Sequence, residues 1–124
     1  MSSSNRWIAF ITKLNRQTQE GRIRWKLIGE QPDLLNSDFQ QYGPAYIAEA
    51  DDDATVRMYK ERTRRIADTD EEYWQDAVVL DIRTSDRGDF VRAPRTPGLD
   101  DLYEVVVYKA NEVEGFLDRF LNKS

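Results

Sequence analysis

The segment PGLDDLYEVVVYKANEVEGFLDRFL, residues 97–121, decides the fold, because two criteria read it in opposite ways. Residues 103–108 hold three consecutive valines between tyrosines, a composition that favours a strand. Yet Leu99, Leu102, Tyr103, Val106, Ala110, Val113, Phe116, Leu117, Phe120 and Leu121 keep a helical period with no turn dipeptide between them. Period outweighs propensity, and the spacing predicts a C-terminal helix. Pro97 suits its opening, Asp100, Asp101 and Glu104 favour its positive end, and Arg119 and Lys123 its negative end. Gly115 is the expected weak point, costing about 1 kcal/mol relative to alanine.

Upstream, Ser2, Ser3 and Ser4 offer N-cap hydroxyls, and Trp7, Ile8, Phe10, Ile11 and Leu14 share one helical face, so a first helix is expected over residues 4–19. Gly21 supplies a left-handed stop. The period then switches to two, with Ile23, Trp25 and Leu27 on one side and Arg22, Arg24 and Lys26 on the other. That pattern predicts a strand with one buried and one wet, cationic face. Residues 29–44, with Gly29, Pro32, Gly43 and Pro44, read as a structured loop in which Leu34, Leu35 and Phe39 could dock.

Residues 45–50 and 55–61 form the most convincing hairpin, turned at Asp51, Asp52 and Asp53. Val56 and Met58 fall on one face of its second arm, Arg57, Tyr59 and Glu61 on the other. The charged stretch 62–76, ending near Tyr73 and Trp74, reads as a mobile or extended connection. Residues 77–83 alternate as a strand through Val78, Leu80 and Ile82, and a short strand is expected at 90–92 before Pro94 and Pro97 interrupt pairing. Together these elements predict a single domain over residues 1–124. Its class is α+β: a two-layer fold with an antiparallel sheet of four to five strands and the N-terminal and C-terminal helices packed on one face.

The run Thr18-Gln19-Glu20-Gly21-Arg22-Ile23-Arg24-Trp25 resembles small uncharacterised bacterial α+β proteins in which a T-x-x-G-x-I-x-W segment links the first helix to the first strand. The resemblance covers the outline of the chain and carries no activity. It implies structural roles for Thr18 at the helix end, Gly21 at a sharp exit and Trp25 as an aromatic anchor under the sheet.

Composition removes much chemistry. The chain has no histidine and no cysteine, which excludes His/Cys zinc sites, Ser-His-Asp and Cys-His catalysis, disulfides and iron–sulfur clusters. A cytoplasmic location fits the lack of cysteine, and residues 1–6 lack the apolar stretch of a secretory signal. No apolar run approaches the ~18 residues of a membrane helix, so no membrane partner is expected. Residues 1–65 carry 11 basic and 9 acidic side chains, whereas residues 66–124 carry 7 and 14, so the halves differ as +2 against −7. Overall acidity makes nonspecific nucleic-acid binding unfavourable, while such asymmetry suits a protein partner or a second copy.

Among acids, Glu49 with Asp51, Asp52 and Asp53 could hold a divalent ion. The spacing of a calcium loop is missing, a turn needs such residues anyway, and no metal or cofactor is predicted. No D/E-x-K follows Pro32-Asp33 on an expected strand, as a PD-(D/E)xK nuclease would need, and neither phosphate-cradling glycine loop is present. Glu49 and Asp81 could be drawn as a hydrolytic pair, but nothing singles them out. Arg87-Gly88-Asp89 reads as a turn rather than an adhesion signal.

Two function classes follow. The favoured one is a non-enzymatic interaction or regulatory module that self-associates or binds a protein, with Tyr73 and Trp74 as interface candidates. The alternative is a domain that binds a small anionic ligand, nucleotide or short nucleic acid on a face built from Arg22, Arg24, Lys26, Arg57 and Tyr59. Against it, the same cations could pair with Glu49, Glu61 and Asp81 as a solvated face. A metal-dependent hydrolase built on Asp51 is a third, weaker option.

Overall fold

The computed structural model describes residues 3–29, 31, 39–51, 54–85 and 88–123. Its elements in chain order are α1 (Ser3–Gln19), β1 (Lys26–Ile28), β2 (Phe39–Asp51), β3 (Ala54–Ile66), β4 (Glu72–Arg83), β5 (Val91–Arg92), α2 (Leu99–Ala110) and α3 (Val113–Leu121). The five strands form one antiparallel sheet in the order β1-β2-β3-β4-β5, so each strand lies beside its predecessor. Helices α1 and α2 pack together over one face, and the α+β two-layer arrangement follows from that.

Periodicity explains the helix layer. Ile11 and Leu14 of α1 and Leu99, Leu102 and Val106 of α2 meet Tyr46, Ala48, Val56, Met58 and Leu80 of the sheet in the main core. The valine run at 105–107 is helical, and Val106 is fully buried. The break in the C-terminal helix falls at residues 111–112, not at Gly115. Both the backbone N–H and the side-chain amide of Asn111 donate to the Val107 carbonyl, at 3.2 and 2.7 Å, and Glu112 then turns left-handed at φ 54°.

Behind α1, the Thr18 hydroxyl donates to the Leu14 carbonyl (2.7 Å) and accepts from the Trp25 indole N–H (3.0 Å). Gly21 at φ 77° turns the chain back, bringing Ile23 and Trp25 into the core. The first strand is shorter than its alternation suggests, covering only Lys26–Ile28. Leu27, expected inside with Ile23 and Trp25, is 52% exposed, because it pairs with Tyr46 on the outermost strand of the sheet.

Two further expectations need correction. The segment containing Gly43 and Pro44 belongs to β2, not to a loop: the register shifts between Tyr42 and Tyr46, and Gly43 at φ 84° permits the bulge that keeps the strand paired. The charged stretch 62–76 is not a connection either. Its residues form the outer arms of the β3–β4 hairpin, paired from Thr55 with Arg83 to Ile66 with Glu72. Opposite charges meet across that ladder, Arg62 with Asp76 directly opposite (3.1 Å) and Arg64 with Glu72 on the diagonal (3.9 Å), which turns a repulsive run into pairing. Residues 67–71 make the turn, closed by Asp70 N–H donating to the Ala67 carbonyl (2.9 Å). Expectations for Pro32, Leu34, Leu35, Asp52, Asp53 and Arg87 lie outside the described residues.

Candidate functional site

The sheet face turned away from α1 and α2 is polar, with a buried centre and exposed margins. Strand alternation and register place Lys26, Ile47, Arg57, Asp81 and Arg92 in one cross-strand row on that face. A neighbouring row holds Glu49, Thr55 and Arg83; on the other side lie Ala45, Tyr59 and Val79, packed with Ile28.

At the centre, Asp81 Oδ2 accepts from Arg57 Nη2 (2.8 Å) and Nε (3.2 Å), and neither residue is more than 3% exposed. The Arg57 guanidinium also lies 4.0 Å from the centroid of the Phe90 ring, a geometry that attracts a cation to an aromatic face. Beside this pair, Arg92 grips both carboxylate oxygens of Glu61 at 3.2 and 2.5 Å and donates to the Tyr59 hydroxyl at 3.3 Å. The Glu61 hydrogen bonds push the Arg92 guanidinium further above its already high range. Burial, reinforced by the Asp81 carboxylate, pushes the Tyr59 phenol up to about 12.

Two clefts open on this face. The larger, about 630 Å³, is lined by Arg57, Tyr59, Asp81, Phe90 and Arg92 among others. The smaller, about 480 Å³, is lined by Arg22, Arg24, Lys26, Glu49, Thr55 and Arg83 among others. Arg83 borders both, its guanidinium carbon 4.7 Å from the Phe90 centroid. Its Nε is buried and, among the described residues, has no hydrogen-bond partner.

The five cations and aromatics selected from sequence are therefore divided. Arg22, Arg24 and Lys26 do converge, and they remain exposed. Arg57 and Tyr59 do not join them as a wet surface: they are 2% and 1% exposed, because Phe90 covers Arg57 and Asp81 neutralises it. The solvated pairing considered as the alternative becomes a buried one at Arg57–Asp81 and a half-exposed one at Arg92–Glu61. Tyr73 and Trp74 are both about half exposed near the outer end of β4, but as consecutive strand residues they point to opposite faces and form no common patch.

Arg83, Phe90 and Arg92 were missed. Their parity with Arg57 depends on the β3–β4–β5 register, which the chain does not print locally. Among the described residues, no helix is long and apolar enough to cross a membrane. No protein-family model, curated protein or solved structure matches this chain.

Proposed function

We propose that this chain is a non-enzymatic interaction module that self-associates through α3. The observation that carries the reading is the apolar face of that helix: Phe116, Leu117, Phe120 and Leu121 are 41–75% exposed, and α3 buries no residue of its own. Phe116 and Phe120 already stack, with centroids 5.8 Å apart, so the surface is preformed. In water such a face gains from burial at about 25 cal/mol per Å². Four partly exposed large side chains present on the order of 400–500 Å².

A second copy is the occupant that the charges favour. The helix starts with Glu112 and Glu114 and ends with Arg119 and Lys123. An antiparallel two-fold pair of α3 helices sets each acidic start against the partner's basic end and opposes the two helix dipoles. The shared area, roughly 800–1,000 Å², lies below the ~1,200 Å² of a tight interface, so the dimer should be weak and concentration-dependent.

Sedimentation across a concentration series tests this. The expected result is a monomer–dimer equilibrium that Phe120→Asp shifts to monomer without altering the fold, since Phe120 is exposed in the single chain. A wild-type chain that stays monomeric throughout, or a Phe120→Asp variant that dimerises equally well, overturns the proposal.

A further inference from the structure

We infer that the smaller cleft, on the side of the sheet opposite the helix layer, binds the phosphate group of a small phosphate monoester. The inference does not rest on association through α3. Four cations, Arg22, Arg24, Lys26 and Arg83, line a space of about 480 Å³, within the size range of small-molecule sites. Glu49 is the acid among its lining residues, and Arg22 is also bridged to Glu20 at 3.2 Å. Counting both acids leaves an excess of two positive charges among the described residues around the cleft.

That excess selects the ligand. A carboxylate carries one charge and would leave the site cationic, whereas a phosphate monoester carries about −1.5 to −2 at pH 7 and balances it. Phosphodiesters carry one charge per group, which disfavours nucleic acid.

Arg83 supplies the second observation. Its Nε–H is buried and, among the described residues, without an acceptor, and a buried donor left unpaired is destabilising. The aromatic ring of Phe90 beside it offers a face for the cation but no lone pair for the N–H. A tetrahedral anion in the cleft would give the Arg83 guanidinium oxygen acceptors after a turn of the side chain that brings the buried Nε–H into the opening, while Arg24 and Lys26 closed on the remaining oxygens. Thr55, paired in register with Arg83, adds a hydroxyl to the same floor.

Calorimetry and thermal unfolding with inorganic phosphate test the site, with acetate and a short single-stranded oligonucleotide as comparison arms at matched ionic strength. Phosphate is expected to bind saturably and to raise the unfolding midpoint by about 10 °C at a hundredfold excess over its Kd. Acetate should give no saturable shift, and the oligonucleotide should bind more weakly than phosphate. Arg83→Gln and Arg24→Gln should each weaken phosphate binding roughly tenfold or more, with Lys109→Gln, on the helix layer, as an unaffected control. Arg24 is exposed, so its substitution leaves the fold intact and decides the matter even if Arg83→Gln unfolds. Absence of saturable phosphate binding, equal binding of acetate, tighter binding of the oligonucleotide, or wild-type affinity in Arg24→Gln overturns the inference.

Discussion

Replacing Asp81 with asparagine should destabilise the fold by about 3–4 kcal/mol, although the change keeps the side chain's size and one of its oxygens. The carboxylate accepts two hydrogen bonds from Arg57, and both side chains are at most 5% exposed. Opposite charges about 4 Å apart attract by about 4 kcal/mol at an effective dielectric near 20. Removing one partner of a buried ion pair has measured costs of ~3–5 kcal/mol. Phe90 still faces the guanidinium in the variant and retains up to ~2 kcal/mol of cation–aromatic attraction, which argues for the lower part of that range. Urea unfolding followed by tryptophan fluorescence is the assay, since Trp25 is buried. With a slope of about 2 kcal/mol/M, the midpoint should fall by about 2 M. The double variant Arg57→Met/Asp81→Leu should return to within about 1 kcal/mol of wild type, because apolar side chains then replace the buried ion pair as a unit. An Asp81→Asn loss below about 1 kcal/mol would refute the argument, as it would mean that water reaches this face. A double variant as unstable as the single one would assign the cost to packing instead.

Three other outcomes follow from geometry already described. The Tyr59 phenol ionises near pH 12 in the fold and near pH 10 in the unfolded chain, so its contribution is intact below pH 10 and is lost as pH rises to 12, a decline of about 2–3 kcal/mol. Tyr59→Phe should flatten that decline in urea midpoints taken against pH, and an unchanged slope would count against it. Thr18→Val removes the acceptor of the buried Trp25 N–H and should lower stability by about 1–3 kcal/mol, with a shift in near-ultraviolet tryptophan ellipticity; pairing it with Trp25→Phe should recover part of the loss. Glu112→Gly relieves a left-handed conformation at φ 54° and should raise the thermal midpoint by a few degrees, about 0.5–1 kcal/mol, whereas a fall would show that the Glu112 side chain matters more than its backbone.

The parts of this molecule written in short-range pattern could be read directly. Ile11 and Leu14 in α1 and Leu99, Leu102 and Val106 in α2 repeat at helical spacing, and their burial follows from that repeat. Alternation also separated Val56 and Met58 from Arg57 and Tyr59 correctly. What alternation cannot encode is the cover on the second face. Phe90 reaches Arg57 from 33 positions away, and only the strand register brings Asp81 and Arg83 to the same side. Local signals even misled at Gly43-Pro44, where turn-forming residues make a bulge inside a strand. They misled again at 62–76, where charge density suggested a mobile or extended connection but the opposing arm carries the complementary sign. The cations at positions 22, 24 and 26 were visible, but their link to Arg83 was not.

The sequential strand order also sets how the chain can assemble. Each pairing in the sheet closes a connection of modest length, and the β3–β4 turn at 67–71 takes only five residues. Bringing α1 against α2 directly would close about 80 residues at once, at an extra entropic cost of roughly 2–3 kcal/mol over such a turn. Zipping the ribbon first spreads that cost over small steps and carries the two rods together on its back. Substitutions in the β3–β4 arms should therefore slow refolding, whereas those on the buried stripe of α1 should chiefly hasten unfolding.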